Sequence, residues 1–204
     1  MKLFFCSHPG GFANCYVLGT EGEKNREAIV IDPGAMNLTL LNIIEEHSYK
    51  LRAVLITHDH SRHSSGLRCL KRIYNADIYA VNQYIAEHKA FMVRDGDTVD
   101  VGPFRCEVIS VPGHSPDSVV YKIQHMLFTG DVLTAGRVGR TTSIYGATTQ
   151  MIAIRSKLFT MPGEYIILPG HGPPSSLSAE QLYNIDIQKY NQKKHRQQRF
   201  TVDW

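Results

Sequence analysis

The residues best able to do chemistry in this chain lie together in a short stretch that follows the apolar run 53–56. His58, His60 and His63 have a spacing that neither one face of a strand nor one stripe of a helix can present. A tight loop that leaves a buried strand can instead turn several imidazoles toward one point. Because imidazole binds zinc, iron, nickel and copper, the cluster predicts a transition-metal site.

Three further ligand candidates lie in turns that follow strand-like runs. They are His114, Asp131 and His171, and each has a glycine as its sequence neighbour. Glycine lets the backbone approach an ion closely and adopt a positive φ. We therefore expect these distant residues to complete the site.

At this point the pattern resembles the metallo-β-lactamase superfamily, whose motif H-x-H-x-D-H is followed by a distant His, a bridging Asp and a last His. The resemblance runs from 14–17 and the Asp-Pro-Gly turn at 32–34 to the Gly-His-Gly turn at 170–172. The stretches 130–133 and 139–141 look most similar to the short glyoxalase II-like hydrolases. One departure is Thr142, where those relatives usually carry Asp.

The resemblance implies a first metal position formed by His58, His60 and His114, with Asp131 as the bridging carboxylate. Three neutral imidazoles on Zn2+ leave a fourth position for water, whose pKa falls to about 7. Asp131 can ligate the ion or hold that water. We therefore predict a metal-dependent hydrolase that uses a metal-bound hydroxide on a thioester or similar small ester.

The second metal position would use the motif Asp together with His63 and His171, but Arg62 occupies the place of that Asp. Arginine keeps its proton, and a unit charge about 4 Å from a second dication costs several kcal/mol at an effective dielectric near 20. We therefore predict one bound ion, with Asp131, Arg62 and His63 as catalytic residues. Two poses of Arg62 are open. The favoured inward pose bonds Asp131 or stabilises a substrate oxyanion, whereas the outward pose is a surface side chain.

Two other function classes stay open. His58, His114 and Asp131 also form a two-His, one-carboxylate set, which is typical of non-haem iron oxygenases. The persulfide dioxygenase branch of the superfamily uses such a mononuclear Fe2+ site. The third class is a degenerate, non-catalytic metal-binding protein, because loss of the motif Asp usually damages binuclear catalysis.

Substrate contacts are expected in the glycine-rich stretch 136–146. The resemblance places substrate-contacting loops there, which implicates Arg140 and Tyr145. We expect a small-molecule substrate; the sequence leaves its identity and the oligomeric state open.

Composition favours one enzyme domain over 1–204. The chain has 204 residues, of which 43% are hydrophobic, and it contains no apolar run of membrane-spanning length. A net charge of +3 is too mild to indicate nucleic-acid binding. The basic stretch at 189–204 is interpreted as a helix end or tail. The cysteines lack metal-site spacing, so we expect reduced thiols. The apolar stretch at 1–6 is too short for a signal peptide, so we expect a cytoplasmic protein.

The order of apolar patterns alternates between strand and helix, which predicts a mixed α/β fold. The patterns predict a helix near 83–89, and a capping-box start at Ser178 for the last helix. The resemblance implies a four-layer αββα sandwich for the whole arrangement.

Overall fold

A computed structural model describes residues 1–7, 10–22 and 25–198. The end of the predicted basic tail, at 199–204, lies outside the described residues, and for 193–198 only the backbone is described.

The first sheet is built from the first half of the chain. Its strands have the order β1-β2-β3-β4-β5-β8, and β3, β4, β5 and β8 run parallel to one another. Strands β6 and β7 form a separate hairpin. The bounds are β1 (Lys2–Cys6), β2 (Cys15–Gly19), β3 (Glu27–Ile31), β4 (Lys50–Leu55), β5 (Asp77–Ala80), β6 (Tyr84–Ile85), β7 (His88–Lys89) and β8 (Phe91–Met92).

The second sheet is built from the second half of the chain and has the order β16-β15-β12-β11-β10-β9. Strands β12 and β15 pair in parallel, whereas β13 and β14 form a hairpin outside the sheet. The bounds are β9 (Thr98–Val101), β10 (Phe104–Ser110), β11 (Val119–Ile123), β12 (Met126–Gly130), β13 (Leu133–Thr134), β14 (Arg137–Val138), β15 (Ile166–Pro169) and β16 (Ser175–Ser176).

The helices fall between these strands and after the last of them. Within the described residues, no helix combines the length and the apolar character that crossing a bilayer requires. The bounds are α1 (Leu38–Glu46), α2 (Ser61–Ser64), α3 (Leu67–Ile73), α4 (Ile144–Ala153), which continues as a π-helical turn over Ile154–Leu158, α5 (Leu177–Tyr183) and α6 (Ile185–Gln198).

Three buried apolar clusters define the layers. The central cluster lies between the two sheets and contains Tyr16, Phe104, Tyr121 and Phe128. A second cluster joins the outer face of the first sheet to α1 and α3, and a third joins the outer face of the second sheet to α4, α5 and α6. The chain is therefore a four-layer αββα sandwich, as the resemblance implied.

The helix predicted near 83–89 is wrong, because this segment forms the β6–β7 hairpin. Ala86 and Glu87 connect the two strands with φ values of 47° and 72°. Two consecutive residues with positive φ make the tight turn that matches strand twist, and they break a helix.

The predicted capping box at Ser178 is also displaced. Helix α5 begins two residues earlier, where the Ser176 hydroxyl accepts a hydrogen bond from the Ala179 backbone N–H at 3.3 Å. Ser176 has the extended backbone of an N-cap, whereas Ser178 lies inside the first turn of the helix.

We predict that Phe128→Ala destabilises the fold far more than Phe91→Ala. Phe128 is fully buried between the sheets, with its ring 5.4 Å from that of Tyr16, whereas Phe91 is 58% exposed. Loss of a buried Phe side chain costs about 3–5 kcal/mol, and loss of an exposed one stays within about 0.5 kcal/mol. Urea unfolding of both variants measures the difference. Equal losses would contradict this assignment of the central core.

Candidate metal centre

The ends of parallel strands bring the predicted ligands to one edge of both sheets. Strand β4 ends just before the loop that carries His58 and His60, and His63 lies in α2, which begins at Ser61. Strand β12 ends next to Asp131, and the parallel strand β15 ends before His171. His114 lies between the antiparallel strands β10 and β11.

The first group of converging atoms contains His58, His60, His114 and Asp131, whose ligand atoms all lie within 4.8 Å of one another. Nε2 of His58 lies 2.9 Å from Nδ1 of His60, which lies 3.1 Å from Nε2 of His114. Nitrogens on a tetrahedral zinc ion, with bonds of 2.0–2.1 Å, are about 3.3 Å apart. The three imidazoles are therefore spaced for one such ion.

Hydrogen bonds at Nδ1, on the side of the ring away from the centre, fix the tautomers of His58 and His114. The Thr57 hydroxyl donates to the carboxylate of Asp32 at 2.6 Å, so it accepts from Nδ1 of His58 at 3.1 Å. Nδ1 of His114 donates to the backbone carbonyl of Arg140 at 2.7 Å. Each Nε2 is then left with a lone pair facing the centre, as metal binding requires.

The second group contains His63, Asp131 and His171. Nε2 of His63 lies 3.3 Å from Oδ1 of Asp131, and Nε2 of His171 lies 3.7 Å from the same oxygen. Nε2 of His63 and Oδ1 of Asp131 are buried and within ion-pair distance of each other, but neither makes a hydrogen bond of good geometry among the described residues. Buried polar atoms are normally paired, so these two atoms are suited to a cation.

Asp32 is the functional residue that sequence reasoning missed. Its buried carboxylate accepts hydrogen bonds from the Thr57 backbone N–H at 2.8 Å, from the Thr57 hydroxyl, and from Nδ1 of His63 at 2.8 Å. One carboxylate therefore orients a ligand in each group. The signal lay in the Asp-Pro-Gly turn at 32–34, which follows the strand that pairs in parallel with β4.

Gly170 leaves the space in which the two groups meet. A Cβ atom at this position would lie 2.4 Å from Cε1 of His63 and 2.8 Å from Oδ1 of Asp131. Side chains larger than hydrogen would displace both residues, which explains the glycine beside His171.

The electrostatics differ between the groups. Burial, reinforced by His63, lowers the pKa of His58 to about 3, and burial also lowers the pKa of His60. At His63 burial is opposed by the carboxylates of Asp32 and Asp131, which raise its pKa to about 9. Burial also opposes ionisation of Asp131, but the adjacent His63 holds its pKa well below the usual range. These shifts favour neutral imidazoles in the first group and a charged His63 paired with the carboxylates of Asp32 and Asp131.

Arg62 lies in α2, next to His63. Its side chain is exposed, and a Cβ atom at Gly11 would lie 3.2 Å from its guanidinium. Among the described residues it makes no hydrogen bond or ion pair with Asp131, so that contact of the inward pose is absent. Its charge does reach His171, whose pKa is lowered by burial and then by His63 and Arg62.

A cavity of about 660 Å³ opens beside the ligands and is lined by His114, Asp131 and His171 on one side and by Arg137 and Arg140 on another. Of the two predicted substrate contacts, the structure places Arg140 at this cavity. Tyr145 is 82% exposed on the first turn of α4 and does not line it. Its substrate role stays a prediction without a contact to support it.

Comparison with protein families agrees with this geometry. The family model of the Metallo-beta-lactamase superfamily matches residues 8–171, which is most of the chain. The chain therefore belongs to this superfamily.

The similar proteins include members of two enzyme groups. Hydroxyacylglutathione hydrolase GloC of Haemophilus influenzae is 30% identical over 196 residues, covering 84% of this chain and 91% of that protein. The mitochondrial persulfide dioxygenase ETHE1 of Homo sapiens is 31% identical over 160 residues, covering 76% and 62%. The crystal structure of ETHE1 from Myxococcus xanthus superimposes with a TM-score of 0.83 at 25% identity, covering 100% and 92%.

We predict that Thr57→Val weakens metal binding about 10–100-fold, the range typical of residues that orient ligands. The change keeps the side-chain shape but removes the hydroxyl that joins Asp32 to His58. The matched control is Thr148→Val, because within the described residues the Thr148 hydroxyl bonds only a carbonyl of its own helix, that of Ile144. Competition titration with a chelator measures both variants. Equal affinities in the two variants would show that the Thr57 hydroxyl does not orient His58.

Proposed function

We propose that this protein is a metal-dependent hydrolase of thioesters or similar small esters, with one tightly bound ion. The observation that carries the proposal is the convergence of His58, His60, His114 and Asp131 at the spacing of a tetrahedral ion. The similarity to hydroxyacylglutathione hydrolase GloC supports thioester hydrolysis in particular. We propose a small-molecule substrate, with no nucleic-acid or membrane partner, and a cytoplasmic location.

We propose Zn2+ as the ion, held by His58, His60 and His114 with Asp131 at or beside it. A bound zinc ion supplies Lewis acidity and lowers the pKa of water to about 7. Within the chain, Thr57 and the carbonyl of Arg140 keep the imidazole lone pairs directed inward. The carboxylate of Asp131 places negative charge at the metal centre. It can also accept a hydrogen bond from the water that acts as the nucleophile.

In this proposal, Arg62 contacts the substrate beside the metal centre. Its guanidinium is exposed beside Gly11 and close enough to affect His171, but it is not engaged by Asp131. It is therefore free to contact an oxygen of an incoming substrate. A cation in that place stabilises negative charge that develops on the substrate during hydrolysis.

A second candidate is a mononuclear Fe2+ enzyme that oxidises a persulfide. The similarity to persulfide dioxygenase ETHE1 favours it, together with the two-His, one-carboxylate set His58, His114 and Asp131. Elemental analysis of protein purified without added metal separates the alternatives. One zinc with thioesterase activity supports the hydrolase, and one iron with persulfide-dependent oxygen uptake supports the dioxygenase. No metal indicates a degenerate member.

We predict one transition-metal ion per chain. Arg62 replaces a carboxylate of the second group and adds a positive charge, so the group of His63, Asp131 and His171 binds a second cation weakly. His114→Ala is expected to lose metal more severely than His63→Ala. Elemental analysis gives the stoichiometry, and an anomalous-scattering map gives the position. Two fully occupied sites in the map would falsify the prediction.

We predict that Arg62→Asp raises metal content toward two while activity on the native substrate falls. The new carboxylate restores the family ligand beside His63, but the cation that acts on the substrate is lost. Removal of one stabiliser of a developing oxyanion costs about 10²–10³-fold in kcat. Metal content and thioester turnover are measured on the same preparation.

The control is Arg68→Asp, which makes the same charge change at an exposed residue that pairs with Glu87 at 2.8 Å. It is expected to leave metal content and turnover unchanged. A rise in turnover for Arg62→Asp would show that Arg62 merely blocks the second position. Unchanged metal content and unchanged turnover would assign it neither role.

A further inference from the structure

The hairpin β13–β14, which lines the cavity, is held by α5 and α6, which carry none of the proposed ligands. The Gly136 backbone N–H donates to both carboxylate oxygens of Glu180, at 3.0 and 3.2 Å, and its carbonyl accepts from the Ile185 N–H at 3.1 Å. The Val138 N–H donates to Asp186 at 3.1 Å. Helices α5 and α6 are therefore hydrogen-bonded to the hairpin, both at its turn and along β14.

Burial of the Glu180 carboxylate is energetically unfavourable because the charge loses its contact with water. It is 2% exposed, and its carboxylate also accepts from the Ser175 hydroxyl at 2.7 Å and from the Asn184 amide at 2.6 Å. A buried carboxylate is tolerated only when its oxygens are hydrogen-bonded, as they are here. Ser175 lies in β16, and Asn184 lies at the end of α5.

Glu180 does not itself cap either helix. Helix α5 is capped by Ser176, and the Asn184 side chain accepts from the backbone N–H groups of Asp186 and Ile187 at the start of α6. Glu180 acts on the start of α6 only through the Asn184 amide, whereas it binds the Gly136 backbone directly. The turn at Gly136 is therefore the hairpin segment that Glu180 holds without an intermediary.

The hairpin leads directly to the metal centre. Two residues after Val138, the carbonyl of Arg140 accepts the Nδ1 hydrogen of His114 at 2.7 Å. Between them, the Gly139 N–H is bonded to the Val132 carbonyl at 3.1 Å, next to Asp131. A displacement of β14 therefore moves the acceptor that orients His114.

We propose that Glu180 and Asp186, which we call the carboxylate clamp, are positioning residues of the metal centre. They fix the hairpin, and through the Arg140 carbonyl they hold the His114 ring in the tautomer and orientation that binds the ion. They also set the cavity wall that carries Arg137 and Arg140. This inference rests on the metal centre of the proposed function, but not on thioester hydrolysis.

The test compares Glu180→Gln and Asp186→Ala with the full-length wild-type protein. Both variants are expected to speed amide hydrogen exchange in 132–142 and to weaken Co2+ binding about 10-fold, within the range for residues behind a ligand. Co2+ affinity is measured by competition with a chelator, and its visible spectrum reports the ligand geometry. Asp186 is partly exposed, so its variant keeps the test usable when Glu180→Gln folds poorly.

The matched control is Glu164→Gln. The Glu164 carboxylate accepts from the Ser178 N–H at 3.1 Å, so it also bonds α5, but within the described residues no hydrogen bond or ion pair joins it to the hairpin. It is expected to leave hydrogen exchange at 132–142 and Co2+ affinity as in the wild type.

The outcomes separate this inference from the proposed function. A wild type that binds one Co2+ without hydrolysing thioesters rejects the hydrolase and leaves the clamp intact. Folded clamp variants with wild-type Co2+ affinity and spectrum overturn the clamp, whatever the activity. A wild type that binds no metal overturns both.

Discussion

The site depends on one buried carboxylate, that of Asp32. It is 2% exposed and accepts three hydrogen bonds, two from Thr57 and one from His63. Because Thr57 in turn bonds His58, a ligand candidate in each group takes its orientation from the same oxygen atoms. The parallel pairing of β3 with β4 makes this contact, since it brings the ends of both strands to one edge of the first sheet.

The second sheet contributes the remaining ligand candidates, and hydrogen bonds join it to the first sheet close to these residues. The Asn14 N–H donates to the Gly170 carbonyl at 2.7 Å, and the Tyr16 hydroxyl donates to the Pro169 carbonyl at 2.8 Å. These bonds join the start of β2 to the turn that carries His171. The separation between Asp131 and the histidines of the first sheet is therefore set by packing and hydrogen bonds of the whole sandwich.

The sequence was informative where chemistry and spacing coincide. The His58 to His63 cluster and the Gly-rich turns indicated the residues that the structure brings together, and the superfamily resemblance supplied the four layers. The resemblance includes Asp32, but its role depends on strand pairing, which spacing along the chain does not reveal. The helix expected near 83–89 failed because two residues with positive φ form a turn that composition does not mark. The direction of Arg62 likewise depends on packing over Gly11.

The two ligand groups are unequal in a way that follows from their supports. In the first group, two imidazoles are held from behind, by Thr57 and by the Arg140 carbonyl. In the second, His63 is held by Asp32, but the side chain of His171 is 36% exposed and its Nδ1 has no partner in the described part of the chain. Metal affinity rises when ligand rings are held in place before the ion arrives. With Arg62 beside it, the second group is thus both less constrained and less negative than the first.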